Sequence, residues 1–184
     1  MAEEFPRSDP AATPEAPQQP APSRKGMLVV YHGDGAGKET AALGVLFRAH
    51  GRELPVRLMR FAVTMSAVES GDDIALERLG IPADLIDNEG PAGATELWNE
   101  ALKNMRAMRE GVLVLEHLLD AIAKGWLSAP DTADALAGKS PLLHVVITGE
   151  TAPPELIEMA DLVTNMRAVK KRDPDDPLIT GIDH

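Results

Sequence analysis

The chain has 184 residues, no cysteine, and 29 acidic against 18 basic residues, for a formal net charge of −11. The length suits one domain with an ordinary core, the lack of thiols excludes disulfides and thiolate metal centres, and the acidic balance argues against a nucleic-acid partner. No stretch approaches the ~20 apolar residues that span a bilayer, and the N-terminus has no apolar signal core, so a cytoplasmic protein without a membrane partner is expected.

Residues 1–24 hold six of the fifteen prolines and almost nothing large and apolar except Phe5. Such a segment cannot offset its ordering entropy by burial, and it reads as a mobile tail in front of a single domain over 25–184. Met27 to His32 is the first predicted strand, and the helix after it carries Ala42, Val45, Leu46 and Ala49 on one face until Gly51. A second strand follows over Val56 to Ala62, then a short helix near Ile74 to Leu79 and a strand around Leu85 to Asp87. Ala94 to Arg109 has the spacing of a long helix, with Leu97, Ala101, Met105 and Met108 in register. Val112 to Leu115 reads as a buried strand, His117 to Lys124 and Thr132 to Ala137 as helices, and Leu143 to Thr148 as a further strand. Pro153 and Pro154 open a last helix where proline is best tolerated, and Leu162 to Asn165 closes the sheet. Apolar strands alternating with amphipathic helices imply an α/β fold, a mostly parallel sheet covered by helices on both faces.

The chemistry concentrates at the first strand–helix junction, where Leu28 to Thr40 reads LVVYHGDGAGKET. Gly33, Gly35 and Gly37 reach backbone angles other residues avoid, so successive N–H groups can converge on an anion, with the helix start adding positive potential and Lys38 a mobile charge. Against the strict phosphate-loop pattern only Gly37 and Lys38 match, because His32 stands at the first glycine and Glu39 at the Mg²⁺-binding hydroxyl. Glu39 could hold the metal itself, Thr40 could supply the hydroxyl, or Glu39 could simply favour the helix dipole. Glu116 ends the run Gly111-Val-Leu-Val-Leu-Glu116, the position from which an acid on a strand next to the first one completes a Mg²⁺ shell. His117 could bind metal, move a proton, or only cap a helix.

Longer blocks resemble one family. Gly37-Lys38-x-Thr40-Ala41-Ala42-x-Gly44 and Arg48-Ala49-His50-Gly51 are similar to the ATP:corrinoid adenosyltransferases of the BtuR/CobO type. So are His144-Val-Val-Ile-Thr-Gly149, Ala152-Pro153-Pro154-Glu155-Leu156-Ile157-Glu158, Ala160-Asp161-Leu162-Val163-Thr164-x-Met166-Arg167 with Val169-Lys170, and Gly181-Ile182-Asp183. The resemblance spans about residues 27 to 184 and implies a phosphate-loop NTPase-like (RecA-like) fold. It also implies transfer of the 5′-deoxyadenosyl group of ATP to the cobalt of a reduced corrinoid, release of triphosphate, and a homodimer. Co(I) is itself a strong nucleophile, so no side chain is expected to act as a catalytic base. By this resemblance Gly33, Asp34, Gly35, Ala36, Gly37, Lys38, Glu39 and Thr40 surround the phosphates, Lys38 stabilises their charge, Arg48 helps neutralise them, and Glu116 belongs to the Mg²⁺ shell with Thr40 or Glu39.

The departures from the family pattern fall in the site. Where the family loop reads GNGKGKTT this one reads GDGAGKET, so Asp34, Ala36 and Glu39 each make it more negative by one formal charge. Glu116-His117 replaces Asp-Glu, Arg60-Phe61-Ala62-Val63 lacks the lysine expected after the second strand, and Glu150 stands where an arginine is expected. Asp87-Asn88-Glu89-Gly90 carries no aromatic ring for the corrinoid's lower face.

Overall fold

The structure, a computed structural model, describes residues 25–61, 70–85, 90–173, 175–177 and 179–182. The proline-rich tail lies outside the described residues, as do Ala62, Val63, Asp87, Asn88 and Glu89. Among the described residues twelve elements follow one another: β1 (Leu28–His32), α1 (Lys38–His50), β2 (Val56–Arg60), α2 (Gly71–Arg78), β3 (Ala83–Leu85), α3 (Pro91–Ala107), β4 (Glu110–Glu116), α4 (Leu118–Ala123), α5 (Ala129–Ala137), β5 (Leu142–Gly149), α6 (Pro154–Met159) and β6 (Leu162–Asn165).

All six strands are parallel, in the order β3-β2-β4-β5-β1-β6. Parallel strands are buried on both faces, which is why β4 and β5 are continuous apolar runs. Alternation along β4 sends Val112 and Val114 to one face, where Ala42, Leu43 and Leu46 of α1 and Leu76 of α2 meet them. Leu113 and Leu115 point the other way, into a core with Leu97, Trp98 and Met105 of α3, Leu118 of α4, Leu136 of α5 and Leu156 of α6. Helices therefore cover both faces, as expected.

Most differences from expectation are at element ends. α2 starts earlier because Ser70 caps it, its hydroxyl accepting from Asp73 N–H at 3.1 Å, and Ser128 starts α5 in the same way. Pro91 opens α3 three residues ahead of the periodic stretch. β3 occupies Ala83–Leu85 and so begins two residues before the expected strand, whose last two positions, 86 and 87, lie outside the described residues. Leu43, and not Val45, is fully buried on the inner face of α1.

One difference is topological. β5 lies between β1 and β4, so Glu116 does not end a strand next to the first one. With strands ~4.8 Å apart, the loop after β1 and the end of β4 are two strand spacings apart, and β5 supplies the residue between them.

Candidate functional site

Strand ends, a glycine loop and one helix start build a single cluster. β1 ends at His32, and Gly33 turns the chain with φ +118°, where an added Cβ would lie 2.1 Å from the Met166 carbonyl oxygen. Only glycine fits there. Gly33 N–H donates to Glu150 O and Gly35 N–H to Met166 O, both at 2.9 Å. Those two amides are therefore held by neighbouring carbonyls and do not converge on an anion as expected. The open donors lie further along: Gly37 has φ +102°, no side chain caps α1, and the first-turn amides of Lys38, Glu39 and Thr40 have no acceptor within the helix.

Lys38 is buried and donates from Nζ to the Gly35 carbonyl at 2.8 Å, folding its charge back over the loop. Ala36 and Thr40 are exposed, whereas Glu39 is half-buried and faces β5, where Thr148 Oγ1 lies 3.5 Å from its Oε1. Of the two candidates at the missing hydroxyl position, it is Glu39 that turns toward the strand ends. Arg48 falls elsewhere. It sits in the last turn of α1, ten residues or ~15 Å of helix beyond Lys38, with Nε on the Gly44 carbonyl at 3.1 Å, so this chain does not bring it to the loop as the resemblance implied.

Thr148, which sequence reasoning did not single out, ties the parts together. Its hydroxyl oxygen accepts from His117 N–H at 3.0 Å and reaches Glu39 on its other side. Glu116, immediately before His117, is 1% exposed; its Oε2 accepts from Arg60 Nε at 2.7 Å, and its Oε1 has no partner among the described residues. Arg60 also pairs with Asp73 at 3.0 Å. Burial pushes the Glu116 carboxyl above the usual carboxylate range, with Glu39 adding to the rise and Arg60 opposing it.

His117 adopts the left-handed conformation, φ 57°, and its Nδ1 lies 2.8 Å from Asp120 Oδ2. That hydrogen bond, helped by the carboxylates of Glu39, Asp120 and Glu116, raises the imidazole pKa even though burial works against it. Burial would raise Asp120, but the contacts from His117 and from Glu150 N–H, the latter at 2.7 Å, hold it below its usual value. Neither Arg60 nor Asp120 carried a motif. Their signal was only adjacency to strand ends, which acquires meaning once the strand order is known.

Asp34 is exposed at the loop tip and meets the segment after β6: its Oδ1 is 3.4 Å from Ala168 N–H and its Oδ2 is 3.4 Å from Lys171 Nζ. These contacts lower its pKa, the Ala168 amide most.

An all-parallel sheet with a β1–glycine loop–α1 start, and with Glu116 at the end of a strand two places from β1, is consistent with a phosphate-loop NTPase-like domain. Residues 24–183 match the model of the ATP:corrinoid adenosyltransferase BtuR/CobO/CobP family. The chain belongs to that family. It is similar to the corrinoid adenosyltransferase of Pseudomonas aeruginosa, 29% identical over 162 residues that cover 82% of this chain and 79% of that one. The corrinoid adenosyltransferases of a Sinorhizobium species and of Escherichia coli K12 are 28% and 26% identical, covering 79% and 82% of this chain and 74% and 81% of theirs. The three acids of the site each have a protein partner: Asp34 meets Lys171, Glu39 meets Thr148 and Glu116 meets Arg60.

Proposed function

We propose that this chain transfers the 5′-deoxyadenosyl group of ATP to the cobalt of a reduced corrinoid and releases triphosphate. The observation that carries the reading is the family match across 24–183, which spans the glycine loop and every strand end that faces it. Co(I) attacks the 5′ carbon of ATP, the bond from that carbon to the triphosphate oxygen breaks, and the triphosphate leaves with the electron pair. No general base is needed.

What the protein contributes is position and charge. The first-turn amides of Lys38, Glu39 and Thr40 point out of the helix start and suit phosphate oxygens, and Lys38 can leave the Gly35 carbonyl for them. Mg²⁺ fits the donors present. Glu116 offers a buried, unpartnered oxygen and Glu39 a second carboxylate, and Mg²⁺ is commonly held by one or two carboxylates with phosphates and water completing the shell. Among the described residues no three His, Cys, Asp or Glu side chains form a metal cluster, so a site of this kind requires the nucleotide. Bound there, the ion would neutralise the departing triphosphate. Arg60 would hold Glu116 in place by its other oxygen, and Thr148 would keep the Glu39 carboxylate facing it.

A cytoplasmic setting, expected from the lack of an apolar spanning stretch in the sequence, and a homodimer, implied by the family resemblance, belong to the same proposal. Among the described residues no helix is long and apolar enough to cross a membrane.

The test is direct. Purified protein with Mg-ATP and chemically reduced corrinoid under anaerobic conditions is expected to yield adenosylcorrinoid and triphosphate. Corrinoid binding seen by visible absorbance without turnover would make the chain a binding module, and orthophosphate or ADP as product would make it an ATPase or kinase.

A further inference from the structure

A polyphosphate brings three or four negative charges to a loop whose single cation, Lys38, is buried against Gly35 O and whose acids are Asp34 and Glu39. One lysine does not balance that. The backbone brings more positive charge to the loop from the far end of the chain. Met166 N–H donates to His32 O at 2.7 Å and Met166 O accepts from Gly35 N–H at 2.9 Å, so the segment after β6 runs against the loop. An added Cβ on Gly35 would meet the backbone of Met166 and Arg167 at 2.9 Å, which shows how closely the two are packed. From this docked segment Lys171 reaches back to Asp34 at the loop tip.

We propose that Lys171 is a second phosphate-binding residue of the nucleotide site, held on Asp34 until a polyphosphate draws it away. This inference rests on the nucleotide reading given above and adds to it a residue at the opposite end of the sequence from the loop. The geometry supports an exchange. The Lys171 and Asp34 side chains are 70% and 63% exposed and 3.4 Å apart, so their pairing is screened by water and contributes little to stability. Phosphate oxygens gathered by the first-turn amides would compete for the same ammonium with higher charge density. Asp34 thus keeps Lys171 near the loop mouth and lowers the conformational entropy that the contact costs on binding.

Calorimetric titration with ATP, inorganic triphosphate and adenosine tests this on the full chain, comparing wild type, Lys171→Ala, Lys171→Arg and, as a control for general charge loss, Lys103→Ala at an exposed position of α3. Loss of one charge-assisted contact predicts that Lys171→Ala weakens ATP and triphosphate by about tenfold, leaves adenosine unchanged and flattens the salt dependence. Lys171→Arg should recover most of the loss, and an unchanged melting temperature would separate the effect from folding. Equal triphosphate affinity for wild type and Lys171→Ala, or a loss matched by Lys103→Ala, overturns the inference while the nucleotide reading stands. Wild type that binds neither ATP nor triphosphate overturns both.

Discussion

Arg60 and Glu116 are register partners across the parallel strands β2 and β4, and their side chains close the pair with Nε 2.7 Å from Oε2. The backbone ladder itself sets the guanidinium beside the carboxylate, at a depth where Glu116 is 1% exposed and Arg60 16%. Removing one member of such a pair strands the other. Arg60→Met is expected to destabilise the fold by about 3–5 kcal/mol, read from the denaturant midpoint. The double variant Arg60→Met with Glu116→Gln should recover much of that loss, because no uncompensated charge stays buried. A double-variant cost equal to the sum of the two single-variant costs would mean that the pair is not coupled.

His117 is expected to titrate above its ordinary value of 6.5, because Asp120 holds the imidazolium and the neighbouring carboxylates favour it. The sign follows from linkage. A raised folded-state pKa stabilises fully below the ordinary value, and the stabilisation fades as pH rises through the folded value. An NMR titration of the His117 ring reads the shift, and Asp120→Asn should move it down toward the ordinary range. A ring that titrates at or below 6.5 in the wild type would show that the carboxylates do not govern it.

Gly33→Ala should damage both fold and site. The residue sits at φ +118° and a Cβ would collide with Met166 O, so the loop must pull away from the segment after β6. Backbone strain of this kind costs about 1–3 kcal/mol, and the contact must also relax. Thermal unfolding should fall by several degrees for a domain of this size, and triphosphate binding should weaken with it.

Glu39→Thr is expected to tighten ATP binding in the absence of Mg²⁺. A carboxylate ~4 Å from a phosphate at an effective dielectric of ~20 is repelled by about 4 kcal/mol per charge pair, and solvent and relaxation leave part of that. An improvement of about tenfold or more by calorimetry is the outcome sought. With Mg²⁺ present the gain should shrink or reverse, because the ion converts the repulsion into coordination. The same gain with and without Mg²⁺ would remove Glu39 from the metal shell.

The glycine loop, the buried runs of β4 and β5, and the proline-opened α6 are local patterns, and each is where its residues indicate. The partners inside the site were less legible. Glu116 reads as an acid at a strand end, but nothing near it in the chain says that Arg60, fifty-six residues earlier, is its register partner. Gly33 and Gly35 read as anion donors, yet their amides are taken by Glu150 O and Met166 O, carbonyls from the ends of two other strands. Arg48 lies on the right helix at the wrong distance, since a helix carries residues ten apart to opposite ends of its length.

Periodicity, punctuation and composition by themselves determined the α/β class and the position of the glycine loop, because both follow from how near neighbours alternate, cap and turn. The strand order belongs to tertiary structure alone. Placing β5 between β1 and β4 makes Thr148 the bridge between Glu39 and His117, and docking the segment after β6 on the loop brings Lys171 to Asp34. Such pairings join residues more than thirty and even more than one hundred positions apart, and their free energy comes from packing the whole sheet, which no local stretch of sequence encodes.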